Sequence, residues 1–127
     1  MSNLKTESQN PKTDLKQRCY YFSISVIKFL EELPEKKVYW VIGDQLLRSV
    51  TSVGANIVEA KSASSRKDFI KFYEIALKSA NESKYWFGLL RDATMIDKNI
   101  VANLLNEIDE ISRMLGASII TLKNKKF

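Results

Sequence analysis

Apolar residues recur at steps of three and four along this chain, and this spacing constrains its fold more than any other feature. The pattern is cleanest near the C-terminus, at Val101, Leu104, Ile108, Ile111, Leu115, Ser118 and Leu122. Such alternation is typical of a helix that packs one face against its neighbours. Only four Gly and two Pro occur among 127 residues, which argues against a sandwich or barrel of many short strands.

Capping and stop signals divide the chain into four predicted helices. Either Thr13 or Asp14 can cap the first, and Pro34 ends it because the residue before a proline avoids helical angles. Ser65 and Asp68 have the spacing of a capping box before the third. The helices start near residues 13, 34–38, 66 and 97. Four long helices with short connections predict an all-α, antiparallel up-down four-helix bundle.

The same signals predict one domain with two short ends. Residues 1–12 are polar and are expected to form a flexible lead, residues 13–123 the bundle, and residues 124–127 a basic tail. The lead lacks the apolar segment of a signal peptide, and no apolar run approaches the length of a membrane span. We therefore expect a cytoplasmic protein with no membrane partner.

The residue inventory argues against an enzyme. There is no histidine, which excludes Ser-His-Asp and Cys-His catalysis and histidine-ligated metals. The single cysteine, Cys19, lies in an apolar run and is expected to be a buried hydrophobe. Acidic residues at 107, 109 and 110 suggest a solvated helix face more than a cation site, and Tyr85-Trp86-Phe87 suggests core more than a base-stacking surface. We expect no catalytic residues, metal or cofactor.

The second helix carries two apolar arcs and one polar stripe. One arc suits the bundle core, and the other, which includes Trp40, Leu47, Thr51 and Val58, suits a partner subunit. The polar stripe consists of Gln45, Arg48, Ser52, Asn56 and Glu59. A structural polar network at a helix or subunit contact is the preferred interpretation. Ligand or nucleic-acid binding and plain exposure remain open alternatives.

Basic residues concentrate around the third helix and the C-terminus. Between residues 61 and 91 seven Lys or Arg oppose three acids, and the chain as a whole carries a net charge of +5. The predicted nucleic-acid-binding residues are Lys61, Arg66, Lys67, Lys71, Lys78, Lys123, Lys125 and Lys126. In a monomer, solubility explains such a charge. In a ring of five copies the charge becomes +25, which favours multivalent contact with phosphates.

Residues 15–123 resemble a known family. The signature spans residues 45–60 with the pattern Q-L-x-R-S-x-x-S-x-x-A-N-I-x-E-G/A, and Ala60 stands where many members have Gly. The likeness continues through Ser65-Arg66-Lys67-Asp68-Phe69, Ile75-Ala76, Ser79, Glu82 and Tyr85-Trp86-Phe87-Gly88-Leu89-Leu90. On these motifs the chain resembles the 23S rRNA intervening sequence proteins, also called the S23 ribosomal protein family. Avd, the accessory protein of diversity-generating retroelements, is similar in fold.

The resemblance implies a homopentamer of four-helix bundles without catalytic residues. It links the chain to RNA because some members are encoded inside insertions in 23S rRNA genes, and Avd binds nucleic acid and a reverse transcriptase. The matching polar positions add Glu82 to the stripe on the second helix. Two functions follow as expectations: binding of RNA or DNA without strong sequence specificity, or an oligomeric scaffold or accessory subunit that binds another protein, such as a reverse transcriptase.

Overall fold

Four long helices account for nearly all of the chain that can be described. The structure is a computed structural model that describes residues 14–125. The helices are α1 (Leu15–Glu31), α2 (Lys37–Lys61), α3 (Arg66–Ala93) and α4 (Lys98–Asn124). Each helix packs on the next and α4 also packs on α1, which closes an antiparallel up-down bundle. The predicted all-α fold is confirmed, and residues 14–125 contain no strand. The predicted lead, residues 1–12, and residues 126–127 of the predicted tail lie outside this range.

The starts of α1 and α3 carry caps that the sequence predicts, and Asp97 also caps α4. The Asp14 carboxylate accepts a hydrogen bond from the backbone N–H of Lys16, and Asp97 accepts one from that of Asn99. The Ser65 hydroxyl accepts from the backbone N–H of Asp68 at 3.1 Å, as the capping-box spacing predicts. These bonds satisfy amide groups that have no partner inside the helix. The predicted boundaries near residues 13, 66 and 97 are thereby confirmed.

The core is apolar and draws on all four helices. It contains Val26 from α1, Leu46 and Ile57 from α2, Phe87 from α3 and Ile111 from α4, all fully buried. Burying each such side chain contributes about 1.5–3 kcal/mol to folding. The Phe87 ring lies 6.3 Å from the rings of Phe22 and Phe29, so α3 reaches α1 across the bundle. Within residues 14–125 no helix combines the length and apolarity needed to cross a bilayer.

One ion-pair cluster interrupts this apolar core. The Arg18 guanidinium on α1 is only 1% exposed and donates to the Glu107 carboxylate on α4 at 2.8 and 3.2 Å. It also donates to Glu110 at 3.2 Å. Burial lowers the pKa of Arg18, but hydrogen bonds and charge attraction from both carboxylates outweigh it, so the net pKa is raised. The interpretation of residues 107, 109 and 110 as one solvated face is therefore wrong for Glu107, which is 14% exposed.

Two of the four glycines allow close contact between α1 and α2. A Cβ added at Gly43 would lie 3.2 Å from Leu30 Cδ2, and one at Gly54 would lie 3.4 Å from Cys19 Cβ. Gly116 on α4 differs, because an added Cβ would meet no atom of residues 14–125 within 4 Å.

Gly116→Ala is expected to raise the free energy of unfolding by about 0.5–1 kcal/mol. Glycine in a helix interior loses more backbone entropy on folding than alanine, and at this position nothing opposes the methyl group. Urea denaturation of Gly116→Ala and Gly43→Ala measures the difference between the two sites. The methyl group that Gly43→Ala introduces must displace the Leu30 side chain, so this variant should gain less stability. Equal gains for the two variants would contradict the close contact at Gly43.

Candidate nucleic-acid interface

Most of the predicted basic residues meet at one end of the bundle. Lys61 ends α2, Arg66 and Lys67 begin α3, and Lys123 and Lys125 lie at the end of α4. The Arg66 guanidinium donates to the backbone carbonyl of Lys125 at 2.7 Å, which ties the start of α3 to the end of α4. All five side chains are exposed. The antiparallel topology thus gathers charges that lie about 60 positions apart in the sequence. Lys126 lies outside the described residues.

A basic stripe continues from this end along α3. Lys67, Lys71 and Lys78 are exposed and make no ion pair within residues 14–125. Lys71 and Lys78 are about 10 Å apart along the helix axis. Lys123 is partly neutralised, because its ammonium group lies 2.8 Å from the Glu74 carboxylate. The stripe Lys67, Lys71 and Lys78 is therefore the part of the basic surface most available to phosphates.

A seam of small polar side chains joins α2 to α3. The Ser52 hydroxyl accepts hydrogen bonds from the Ser79 hydroxyl at 2.9 Å and from the Asn56 amide at 3.1 Å. One turn away, the buried hydroxyl oxygens of Ser49 and Ser83 are 2.8 Å apart. In the part of the chain that the structure describes, every buried side-chain nitrogen or oxygen has a partner. These bonds let polar groups lie inside a helix contact without the cost of unsatisfied burial.

The structure brings only part of the predicted polar network together. Ser52 and Asn56 join the seam, whereas Gln45, Arg48 and Glu59 make no side-chain hydrogen bond or ion pair within residues 14–125 and lie at or near the surface. Glu82 is exposed and accepts from the indole N–H of Trp86 at 2.9 Å, within α3. The bundle alone therefore gives the outer members of the stripe no bonding role across α2 and α3, and their place in a subunit contact stays a prediction.

The aromatic run on α3 divides between core and surface. Phe87 is fully buried, which agrees with the predicted core role, whereas Tyr85 is 61% exposed. Trp86 is half-buried, and its ring contacts the Tyr85 ring edge to face at 5.0 Å. Consecutive residues on a helix point in directions about 100° apart, so three in a row cannot all face one core.

Sequence reasoning missed Arg18, Ser49 and Ser83, all of which are buried. A signal was present for the first, because Arg18 falls on the apolar spacing of α1 between Leu15 and Phe22. Within residues 14–125 no group of three His, Cys, Asp or Glu side chains could hold a metal ion.

Comparison with known proteins identifies the family of this chain. Residues 12–117 match the family described as 23S rRNA-intervening sequence protein. The chain belongs to that family. The residues matched to the 23S rRNA-intervening sequence family include all of α1, α2 and α3 and most of α4. They therefore contain the whole polar seam and the basic stripe.

A solved structure agrees with this assignment. It is the 1.70 Å crystal structure of a protein with unknown function from the S23 ribosomal protein family of Bacteroides thetaiotaomicron VPI-5482. The two chains are 37% identical and superpose with a TM-score of 0.78, over 84% of this chain and 98% of the other. No curated protein sequence matches the chain.

Proposed function

We propose that this chain is a homopentamer without catalytic activity that acts in the cytoplasm and binds RNA or DNA through its basic surface, without strong sequence specificity. The observation that carries the proposal is the exposed stripe of Lys67, Lys71 and Lys78, which continues into the basic end of the bundle. Contacts of this type neutralise phosphates and do not read base edges. Repetition of the stripe around a ring multiplies the number of phosphates that one strand can contact.

The exposed outer members of the polar stripe support assembly. Arg48 and Glu59 are charged and carry opposite signs, and neither has an ion pair within residues 14–125. A neighbouring copy can supply partners of opposite sign to both. Native mass spectrometry tests the pentamer directly, since it must give five times the chain mass of 14.6 kDa.

Charge reversal of the stripe is expected to weaken binding of a single strand at least about tenfold. It should also lower the salt slope, the steepness with which log K falls as log salt concentration rises, by about 2. Each of three phosphate contacts contributes about 0.7 to that slope for single strands. The variant Lys67→Glu/Lys71→Glu/Lys78→Glu and wild type are compared by fluorescence anisotropy across a salt series.

A matched control carries the same change at the opposite end of the bundle. Lys28→Glu/Lys36→Glu/Lys37→Glu also alters three exposed lysines and takes the net charge from +5 to −1. We expect it to keep most of its affinity. Equal losses in the two variants would show that net charge alone governs binding and would reject the stripe as the interface.

A protein partner is the second candidate. The N-terminal half of α2 exposes Val38, Trp40 and Val41, and apolar side chains of this size are enriched at protein contacts. Co-purification of one stoichiometric protein, together with no affinity for nucleic acid at low salt, would favour a scaffold or accessory subunit, such as a partner of a reverse transcriptase.

A further inference from the structure

A cleft of about 360 Å³ lies between α1 and α2, away from the stripe on α3. Tyr20 and Tyr21 line it from α1, and Gly54, Ala55 and Val58 line it from α2. On the α2 side Ala55 carries only a methyl group, so the larger lining residues rise around a low floor. Its volume falls in the range of small-molecule sites, about 300–1,000 Å³.

The cleft exposes an aromatic ring and an apolar floor to solvent. Tyr20 is 66% exposed, and an edge-to-face contact with Tyr21 at 5.7 Å orients its ring. Most of the lining surface is apolar, although Gln17 and Ser23 add hydrogen-bonding groups. An oriented, exposed tyrosine beside an apolar floor suits a flat ligand that stacks on the ring.

The charge around the cleft selects the kind of flat ligand. Lys16 lines the cleft and lies one turn before Tyr20 on α1. Lys61 lies one turn after Val58 on α2, at the basic end of the bundle. The cleft lining, as described, includes no acidic side chain. A flat aromatic ring with an anionic group on either side fits these surroundings, and a base with its neighbouring phosphates in a nucleic-acid strand has that chemistry.

We propose that the cleft between α1 and α2 binds one unpaired base of single-stranded RNA or DNA, stacked on Tyr20, with the adjoining phosphates on Lys16 and Lys61. This inference rests on the proposed nucleic-acid binding and adds a preference for single strands. A base in a duplex is stacked on its neighbours and cannot enter the cleft, whereas an unpaired base can be splayed out.

Strands with and without bases separate this inference from the proposed function. A labelled thymidine strand of about twelve nucleotides, within the usual footprint of such proteins, is compared with an abasic strand of the same length and with a duplex. We expect the full-length protein to bind the thymidine strand about tenfold more tightly than the abasic strand. Equal affinity for both would overturn the base site while leaving phosphate binding intact. Absence of binding to either strand would overturn both proposals.

Variants of the cleft locate the stacking surface. Tyr20→Ala is expected to remove the advantage of the thymidine strand and to leave abasic affinity unchanged, whereas Tyr20→Phe keeps it because the ring remains. Tyr85→Ala is the matched control, since Tyr85 is a similarly exposed tyrosine on α3. Equal losses for Tyr20→Ala and Tyr85→Ala would reject the cleft.

A plug in the cleft gives a second test that keeps Tyr20. Ala55→Phe fills the floor and is expected to reduce thymidine binding to the abasic level, whereas Ala102→Phe, at an exposed alanine on α4, leaves it unchanged. If Ala55→Phe instead alters the mass of the assembly and spares the base-dependent affinity, another copy of the chain covers the cleft, and the proposal is wrong.

Discussion

Replacing Arg18 with methionine is expected to lower the free energy of unfolding by about 3–5 kcal/mol. The Arg18 guanidinium is 1% exposed, and its removal leaves the mostly buried Glu107 carboxylate without its positive partner. The pair also joins α1 to α4, the helices at the two ends of the described chain. Methionine keeps much of the side-chain volume, so the loss reports the orphaned charge more than a cavity. Urea denaturation measures it.

A double-mutant cycle separates the charge from the packing. Glu107→Leu should lower the free energy of unfolding by a similar amount. The double variant Arg18→Met/Glu107→Leu should be nearly as stable as wild type, because an apolar pair of similar volume often replaces a buried ion pair with little loss of stability. Arg113→Ala is the surface control, since Arg113 is 79% exposed where it pairs with Asp109, and it should cost about 0.2–1 kcal/mol. If Arg18→Met costs no more than Arg113→Ala, the cluster is hydrated and carries no buried charge.

The helices were predictable because their signals are local. Asp14, Ser65 and Asp97 cap the helices they precede, and each bond joins residues two or three positions apart. The apolar spacing predicted the core face of α4, where Val101, Ile108 and others are fully buried. Such features depend on the 3.6-residue period and on one turn of backbone, both of which the sequence displays directly.

The buried polar groups were not predictable in the same way. Arg18 and Glu107 are 89 positions apart, and residue type alone places both at the surface. Their burial becomes favourable only when two helices bring them together. The burial of Ser83 could not be predicted for the same reason, because its hydroxyl is buried only where Ser49 faces it from α2.

The basic interface lies between these two cases. Local density identified Lys67, Lys71 and Lys78 as one face of α3, and helical spacing was sufficient for that. The contact of Arg66 with Lys125 needed the antiparallel topology as well. The cleft beside Tyr20 was beyond sequence reasoning, since it arises where small residues of α2 face large residues of α1.

Thiol labelling of native Cys19 at pH 8 is expected to be at least about a thousandfold slower than labelling of the denatured chain. Burial raises the pKa of the Cys19 thiol from 9.0 to about 12, and the nearby Glu107 carboxylate adds to the rise. Only the thiolate reacts, and three pKa units lower its fraction at pH 8 by about a thousandfold. The thiol is also 1% exposed, which slows reagent access further. Reaction with a chromogenic disulfide, with and without urea, measures the ratio.

The same thiol predicts how stability changes in alkaline solution. A pKa raised in the folded state favours folding fully below pH 9, and this contribution is lost as pH rises from 9 towards 12, by about 1.4 kcal/mol per unit. Cys19→Ala should therefore flatten the fall in stability over that window.

The Arg18→Met variant adds a further test, because opening of the bundle exposes Cys19. Its labelling should accelerate about tenfold for each 1.4 kcal/mol of stability lost if α1 and α4 separate in one step, and labelling at the wild-type rate would place the ion pair outside that opening.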